Sequence, residues 1–121
     1  MWQSVPVVEP FSANQVWLTI PEVAEKLSVP IGRVHRLIED HHLIEVKRDG
    51  IRYVPAEAIA GNEPLASLHG TVLVLLDAGF DIAGAINWLF TENESLATTP
   101  MLALAAGRKT EIRRLAQALA L

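Results

Sequence analysis

Residues 17–55, WLTIPEVAEKLSVPIGRVHRLIEDHHLIEVKRDGIRYVP, decide the fold of this chain. Thr19 and Glu22 have the T-x-x-E spacing of a capping box, in which each residue satisfies an otherwise unpaired amide of the other. A helix is therefore expected to begin here and to bury Val23, Ala24 and Leu27. The segment Ser28-Val29-Pro30 ends that helix and can start a second one, Ile31 to Asp40.

The second helix is followed directly by the pattern of a β-hairpin. Its buried stripe is predicted to be Val34, Leu37 and Ile38. Residues 43–48 and 51–54 then form two strands, and Asp49-Gly50 between them supplies the positive φ of a tight turn. Two helices joined by a sharp turn and followed by a hairpin predict a mainly α protein with a winged helix-turn-helix, in which the hairpin is the wing.

The net charge of −4 is unusual for a protein that binds nucleic acid, but the charge is unevenly distributed. Residues 26–54 carry six bases and four acids, and residues 108–121 carry four bases and one acid. Residues 1–25 and 55–107 carry acids only. Positive charge is thus concentrated in the predicted helix-turn-helix and wing, and in the last helix, which is what attraction to phosphates requires.

Composition excludes several other classes of protein. The 121 residues include no cysteine, which excludes a disulfide framework, cysteine-ligated zinc and thiol catalysis, and fits a reducing cytoplasm. The longest strongly apolar run, residues 72–76, is too short to cross a bilayer, so no membrane association is expected. No catalytic motif stands out, and Gly107-Arg108-Lys109-Thr110 lacks the spacing of a phosphate loop. The chain is predicted not to be an enzyme and to need no cofactor.

The remaining sequence divides the chain into three parts. Residues 1–16 are expected to form an irregular arm, residues 17–60 the winged helix-turn-helix, and residues 61–121 a C-terminal helical region packed on it. Four helices are predicted in the last part, over residues 65–78, 82–90, 100–106 and 109–120. Buried stripes are predicted for three of them. They are Leu68, Val72, Leu75 and Leu76 in helix 65–78; Ile82, Ile86, Leu89 and Phe90 in helix 82–90; and Ile112, Leu115, Ala116 and Leu119 in helix 109–120.

The chain resembles known families in two ways. Residues 17–59 resemble the excisionase and MerR type of helix-turn-helix. Residues 17–121 more closely resemble a small actinobacterial family of winged helix-turn-helix DNA-binding proteins, whose described member is a substrate of the serine/threonine kinase PknL. The residues that carry this second resemblance are Val29-Pro30, Val46-Lys47-Arg48, Trp88-Leu89-Phe90-Thr91, Pro100, Ala103-Leu104 and Ala116-Gln117-Ala118. The resemblance implies DNA binding and an N-terminal arm open to a kinase, although this arm has no threonine and only Ser4 and Ser12.

The predicted DNA-binding residues lie on the second helix and on the wing. The apolar stripe of the helix leaves Gly32, Arg33, His35 and Arg36 facing outward. Arginines one turn apart can donate pairs of hydrogen bonds to guanine or phosphate, and Gly32 permits close approach of the backbone. Lys47, Arg48 and Arg52 flank the hairpin turn. The alternative is that the arginines pair with Glu39 and Asp40, and that the wing charges only prevent edge-to-edge aggregation.

Three other groups of residues have a functional interpretation beside a structural one. His41-His42 suggests a metal, but adjacent histidines at a helix end point apart, so a structural role is preferred. Trp88, Leu89 and Phe90 are expected in the core, with an exposed aromatic patch as the alternative. The basic residues of the last helix, Arg108, Lys109, Arg113 and Arg114, form either a solvated face or a second phosphate-binding surface.

These observations favour a cytoplasmic, nucleoid-associated protein that binds double-stranded DNA and regulates transcription. Helix 31–40 would enter the major groove, and the wing, residues 43–54, would contact the flanking backbone. The rival hypothesis is a protein-interaction module, similar to an antitoxin or an adaptor. In that case the C-terminal helices would bind a protein partner, or a second copy of the chain.

Overall fold

The computed structural model describes residues 16–119, which fall into two compact units, residues 16–69 and residues 70–119. The first fifteen residues, which include nearly all of the predicted arm, lie outside the described part of the chain. In chain order the elements are β1 (Trp17–Thr19), α1 (Ile20–Leu27), α2 (Ile31–Glu39), β2 (Val46–Arg48), β3 (Ile51–Pro55), a 3-10 turn (Ala56–Ala58), β4 (Ile59–Ala60), β5 (Glu63–Pro64), α3 (Ala66–Asp77), α4 (Ile82–Phe90), α5 (Pro100–Ala105) and α6 (Lys109–Ala118).

The first unit contains the predicted helix-turn-helix and wing, so the predicted fold class is confirmed. Its sheet has the order β1-β3-β2 with both pairings antiparallel, which adds a third strand to the predicted hairpin. Tyr53 at the centre pairs with Thr19 on one side and with Val46 on the other. The unit buries a shared core of apolar side chains from α1, α2, β3 and the connecting segments: Ile20, Val23, Leu27, Val34, Leu37, Leu43, Ile44 and Val54.

The second strand begins later than predicted. Residues 43–45 were expected to extend it, but the strand starts at Val46, while Leu43 and Ile44 are buried without belonging to a strand. The reason lies at the end of α2, where His41 adopts a positive φ of 66°. The amides of His42 and Leu43 both donate to the carbonyl of Leu37, so they terminate the helix and are not available to a sheet.

The second unit consists of residues 70–119, and the boundary between the two units falls inside α3. Side-chain caps fix the starts of α4 and α5. Asp81 caps α4 by accepting from the amide of Gly84, and Thr99 caps α5 by accepting from that of Leu102. Gly79 follows α3 with a φ of +106°, which glycine adopts without strain. No helix among residues 16–119 is long and apolar enough to span a bilayer.

The predicted buried stripes are correct in part. Val72, Leu75, Ile86, Leu89, Ile112 and Ala116 are buried, as predicted. Ile82, the first residue of α4, and Leu119, the residue after α6, are exposed. Four further residues of the predicted stripes are only half-buried: Ile38, Leu76, Phe90 and Leu115.

Candidate nucleic-acid interface

Local hydrogen bonds fix the turn between α1 and α2. The amide of Thr19 donates to Glu22 Oε1 at 2.8 Å, and the amide of Glu22 donates to Thr19 Oγ1 at 3.4 Å, which completes the predicted capping box. At the other end of α1, Ser28 takes a left-handed conformation with φ 59°, and its amide bonds to the carbonyls of Ala24 and Glu25. This sharp end allows α2 to begin three residues later in a new direction.

Helix α2 has one buried face and one basic face. Val34 and Leu37 pack into the core of the unit, and Gly32, Arg33 and Arg36 are exposed on the other side. Its N-cap residue is Pro30, which makes no side-chain capping bond. The first amides of α2 therefore lack a side-chain acceptor at the end of the helix that attracts anions.

The wing is a tight hairpin formed by β2 and β3. Lys47 pairs with Arg52 and Arg48 pairs with Ile51, which leaves only Asp49 and Gly50 in the loop. Both loop residues have positive φ, 53° and 79°, as a type I′ turn requires. Directly opposed residues project to the same face of a sheet, so Lys47 and Arg52 share one face of the wing. All three basic side chains of the wing are exposed.

A contact between side chains joins the basic face of α2 to the wing. Arg52 Nη1 lies 3.4 Å from His35 Nδ1, and Arg52 Nε lies 3.7 Å from Glu45 Oε1. Oε1 of Glu45 is buried and has no hydrogen-bond partner among the described residues. Its distance of 3.7 Å from Arg52 Nε is too long for a hydrogen bond. Arg52 is thus held weakly between a histidine of α2 and a carboxylate at the base of the wing.

The structure brings two of the seven predicted residues into contact. His35 and Arg52 contact each other, so the helix and the wing are adjacent. Within the described part of the chain, neither Arg33, Arg36 nor Lys47 forms an ion pair, so the alternative that Glu39 and Asp40 pair with the arginines of α2 finds no contact in its favour. A Cβ added at Gly32 would meet no atom within 4 Å, so its surface is open.

Glu45 is the residue that sequence reasoning missed at this site. The only sign of its role in the sequence is that it lies two positions before the basic pair Lys47-Arg48. A carboxylate close to an arginine often orients the guanidinium. The contact depends on β3 folding back beside β2, which places Arg52 next to a residue seven positions earlier in the chain. Charge counting alone does not give that placement.

Comparison with known proteins places the two parts of the chain in one family. Residues 4–59 match the family model described as "DNA-binding protein Rv2175c, wHTH domain", and residues 65–120 match "Rv2175c C-terminal domain of unknown function". The protein named "DNA-binding protein Rv2175c" from Mycobacterium tuberculosis (strain ATCC 25618 / H37Rv) is 32% identical over 114 residues, which are 84% of this chain and 78% of that protein. The chain belongs to this family.

The fold agrees with that assignment. The solution structure titled "NMR structure of Rv2175c" superimposes with a TM-score of 0.82 at 29% sequence identity, over 98% of this chain and 91% of that chain. The predicted resemblance to an actinobacterial family of winged helix-turn-helix proteins is therefore confirmed. The match covers the helical second unit as well as the wing, so the whole chain, and not only the generic helix-turn-helix, carries the relationship.

The histidines at the end of α2 take part in a structural contact within the first unit. The ring of His42 stacks on that of His69, with centroids 4.0 Å apart and planes 13° apart. His69 Nδ1 lies 3.3 Å from the carbonyl oxygen of His41, which can only accept, so the ring nitrogen donates. Among the described residues, no three potential ligands are grouped to hold a metal ion.

The aromatic run of α4 is divided between the core and the surface of the second unit. Leu89 is completely buried, whereas Trp88 and Phe90 are half-buried. Thr91, the residue after α4, donates its hydroxyl to the carbonyl of Asn87 at 2.6 Å, which helps to end the helix. The predicted core position is thus correct for Leu89 and only partly correct for its two aromatic neighbours.

Proposed function

We propose that this chain binds double-stranded DNA with α2 in the major groove and the β2–β3 wing on the flanking backbone, and that it regulates transcription. The observation that carries the proposal is the contact between His35 and Arg52 at 3.4 Å. It brings the exposed face of α2 beside the wing, which is the arrangement by which winged helix-turn-helix proteins contact a groove and its edge together. The relative's name, DNA-binding protein, supports the same function.

The charges of the site support different roles for the helix and the wing. Arg33 and Arg36 lie one turn apart on the exposed face of α2, and an arginine can donate two hydrogen bonds to the O6 and N7 atoms of guanine. These two residues are proposed to read bases. Lys47 and Arg48 lie beside the hairpin turn and are proposed to contact phosphates, which position the protein without distinguishing sequences.

Arg52 has a third role in this proposal. Its contacts with His35 and Glu45 orient the guanidinium between the helix and the wing. An arginine has no acceptor atom, so His35 Nδ1 must accept in this contact, and its Nε2 then carries the proton as a donor. Both side chains of the pair therefore offer donors to the acceptor oxygens and nitrogens of DNA.

The experiment compares changes on α2 with a change on the wing. A preferred duplex is first selected from a random pool with the wild-type protein, and its affinity and that of an unselected duplex are measured by fluorescence anisotropy. We expect Arg33→Ala plus Arg36→Ala to cost about 1–3 kcal/mol for each base-reading contact, and mainly on the preferred duplex. Lys47→Ala, which removes one charge from the wing, should weaken both duplexes equally.

Two further results decide the proposal. Glu39→Gln removes an acid from α2 and should strengthen binding to both duplexes, because less negative charge faces the phosphates. If the double arginine variant binds both duplexes as the wild type does, α2 is not the recognition helix, and the assignment is wrong. Circular dichroism of each variant shows whether a loss of binding reflects a loss of fold.

Regulation of transcription requires a test of its own. A protein that reads bases with one helix should occupy discrete sites, and a site that overlaps a promoter alters access of the polymerase. Chromatin immunoprecipitation should then give separate peaks near promoters. Even coverage of the chromosome would contradict a regulator and favour general packaging of DNA. Either result is compatible with the cytoplasmic, nucleoid-associated location that a DNA ligand implies.

A further inference from the structure

The last helix carries a second basic face in the unit formed by residues 70–119. At about 100° per residue, an arc of about 140° around α6 contains five exposed side chains in succession. Next to the arc, beyond Lys109, the same helix buries Ile112 and Ala116. We call this arc the α6 face. In order around the helix, its residues are Lys109, Arg113, Gln117, Thr110 and Arg114.

Every side chain of the α6 face can donate a hydrogen bond, and none is acidic. The only acid of the helix, Glu111, lies outside the arc and is paired with Arg108 through two contacts, Nε to Oε1 at 2.8 Å and Nη2 to Oε2 at 3.2 Å. Hydrogen bonding to Arg108 lowers the pKa of Glu111 below its usual value, so this carboxylate stays charged and paired. Arg108 also donates to the carbonyl of Leu96, which makes it a structural residue and not part of the face.

The cations of the α6 face have no acidic partner within the described part of the chain. Neither Lys109, Arg113 nor Arg114 forms an ion pair there, although the same unit contains Asp77, Asp81, Glu92 and Glu94. The five side chains line an open depression of about 410 Å³. Three unpaired cations around an open depression form a surface suited to an anionic ligand.

The neighbouring helix leaves room for one of these cations. A Cβ added at Gly70 in α3 would lie 2.8 Å from Arg113 Nη2, closer than such atoms approach in proteins. The absence of a side chain at position 70 therefore lets the guanidinium of Arg113 lie against α3. Arg113 is the middle one of the three cations in the arc.

We propose that the α6 face binds the phosphates of a DNA duplex as a second, sequence-independent contact. The inference rests on the proposed function. Residues 109–117 span about 12 Å of helix, and a duplex presents about one phosphate per 3.4 Å along each strand, so three cations meet three or four phosphates. One guanidinium group can donate two parallel hydrogen bonds to the oxygens of a phosphate. Thr110 and Gln117 add neutral donors for the same oxygens.

The main test removes the charge of the face and measures the dependence of affinity on salt. The variant is Lys109→Gln with Arg113→Gln and Arg114→Gln, titrated against the preferred and the unselected duplex at several salt concentrations. Each phosphate contact contributes about 0.9 to the slope of log K against log salt, so the slope should fall in magnitude by about 2 to 3. Affinity near 0.15 M salt should fall on the order of 10- to 100-fold for both duplexes alike.

Two matched variants separate charge and geometry from folding. Arg113→Lys with Arg114→Lys keeps both charges and should keep the slope close to that of the wild type. Gly70→Ala keeps every charge but displaces Arg113, and alanine favours the helical state of α3. It should therefore lower the slope by up to about 0.9 while the melting temperature stays the same or rises.

The outcomes distinguish this inference from the proposed function. If the triple glutamine variant is folded and keeps the wild-type slope, the α6 face does not bind DNA, whatever the arginines of α2 do. If the triple variant lowers the slope and Arg33→Ala plus Arg36→Ala changes nothing, the face stands and the recognition helix is wrong. A loss of preference for the selected duplex in the triple variant would also overturn the inference, because phosphate contacts do not read sequence.

Discussion

Helices α2 and α6 have the same amphipathic pattern in different surroundings. Both bury a narrow apolar side and expose arginines, and both begin without a side-chain cap, unlike α1, α4 and α5. A hairpin follows α2, and its Arg52 contacts His35 of the helix. By contrast, α6 pairs its one acid with the arginine that precedes the helix.

The difference teaches that exposed arginines on a helix do not by themselves define a recognition helix. Reading bases requires that the helix be fixed against a groove, and a second element beside it supplies that constraint. Helix α2 has such an element in the wing, which is the basis of the proposal that it enters the groove. Helix α6 presents donors only along its own face, which suits a contact with phosphates that needs no fixed register.

The largest expected effect concerns the buried side of α6. Ile112 is completely buried, so Ile112→Ala should lower the free energy of unfolding by about 2–5 kcal/mol through lost burial and the cavity it leaves. Leu119→Ala, which removes an exposed side chain of similar size just after the same helix, is the control and should cost far less. Urea denaturation measures both. Equal costs would show that α6 does not pack as described, and its basic face would then lose its fixed geometry.

An intermediate effect compares two glycines of the first unit. Gly50 has a φ of +79° at the tip of the wing, so Gly50→Ala should destabilise the protein by about 1–2 kcal/mol. Gly32 lies inside α2 with open space around it, so Gly32→Ala should stabilise the protein by about 0.5–1 kcal/mol. Thermal unfolding measures both signs.

Binding measurements on the same two variants sharpen the comparison. Gly32→Ala should weaken DNA binding despite its greater stability, if the backbone of α2 approaches the duplex closely. Gly50→Ala should weaken it by displacing the cations of the wing. A Gly32→Ala protein that binds as well as the wild type would show that this part of α2 remains at a distance from DNA.

The smallest expected effect concerns the ion pair of Arg108 with Glu111. Hydrogen bonding to Arg108 lowers the pKa of Glu111 in the folded state, so its contribution to stability is complete at neutral pH and is lost as the pH falls through that lowered pKa. The pair is solvent-exposed, so Glu111→Gln should change the melting temperature only slightly at pH 7. The difference from the wild type should disappear below that lowered pKa, where the Glu111 carboxyl is neutral like the glutamine that replaces it. A difference that grows toward low pH would contradict this assignment.

Signals that act within a few residues predicted most of the fold. Thr19 with Glu22, Asp49 with Gly50, and the caps Asp81 and Thr99 each work through hydrogen bonds or backbone angles over at most four residues. The sequence therefore predicted α4 at its observed bounds, 82–90, and the two-residue turn of the wing. Elements defined by such local chemistry can be located without knowledge of the rest of the chain.

Features that depend on distant residues were not predicted. Strand β1 is only three residues long, which is too short to show the alternation of apolar and polar residues that indicates a strand. It forms because Trp17 pairs with Pro55, far along the chain. The basic residues of the candidate site were identified from charge and spacing. The contact of Arg52 with His35 and Glu45 was not, because it needs the register of the wing and the position of α2 together.

The register of the sheet has a consequence for how the wing moves. Strand β1 pairs with β3 only from Tyr53 onward, so the wing beyond this residue is a ribbon of two strands on a base of three. Two residues of β3, Ile51 and Arg52, project past the base, a distance of about 7 Å. Amide exchange should accordingly be slow at Tyr53 and fast toward the tip. Under the proposed function, this stiff base and flexible tip would let the cations of the wing adjust to duplexes of different groove width while α2 keeps its position.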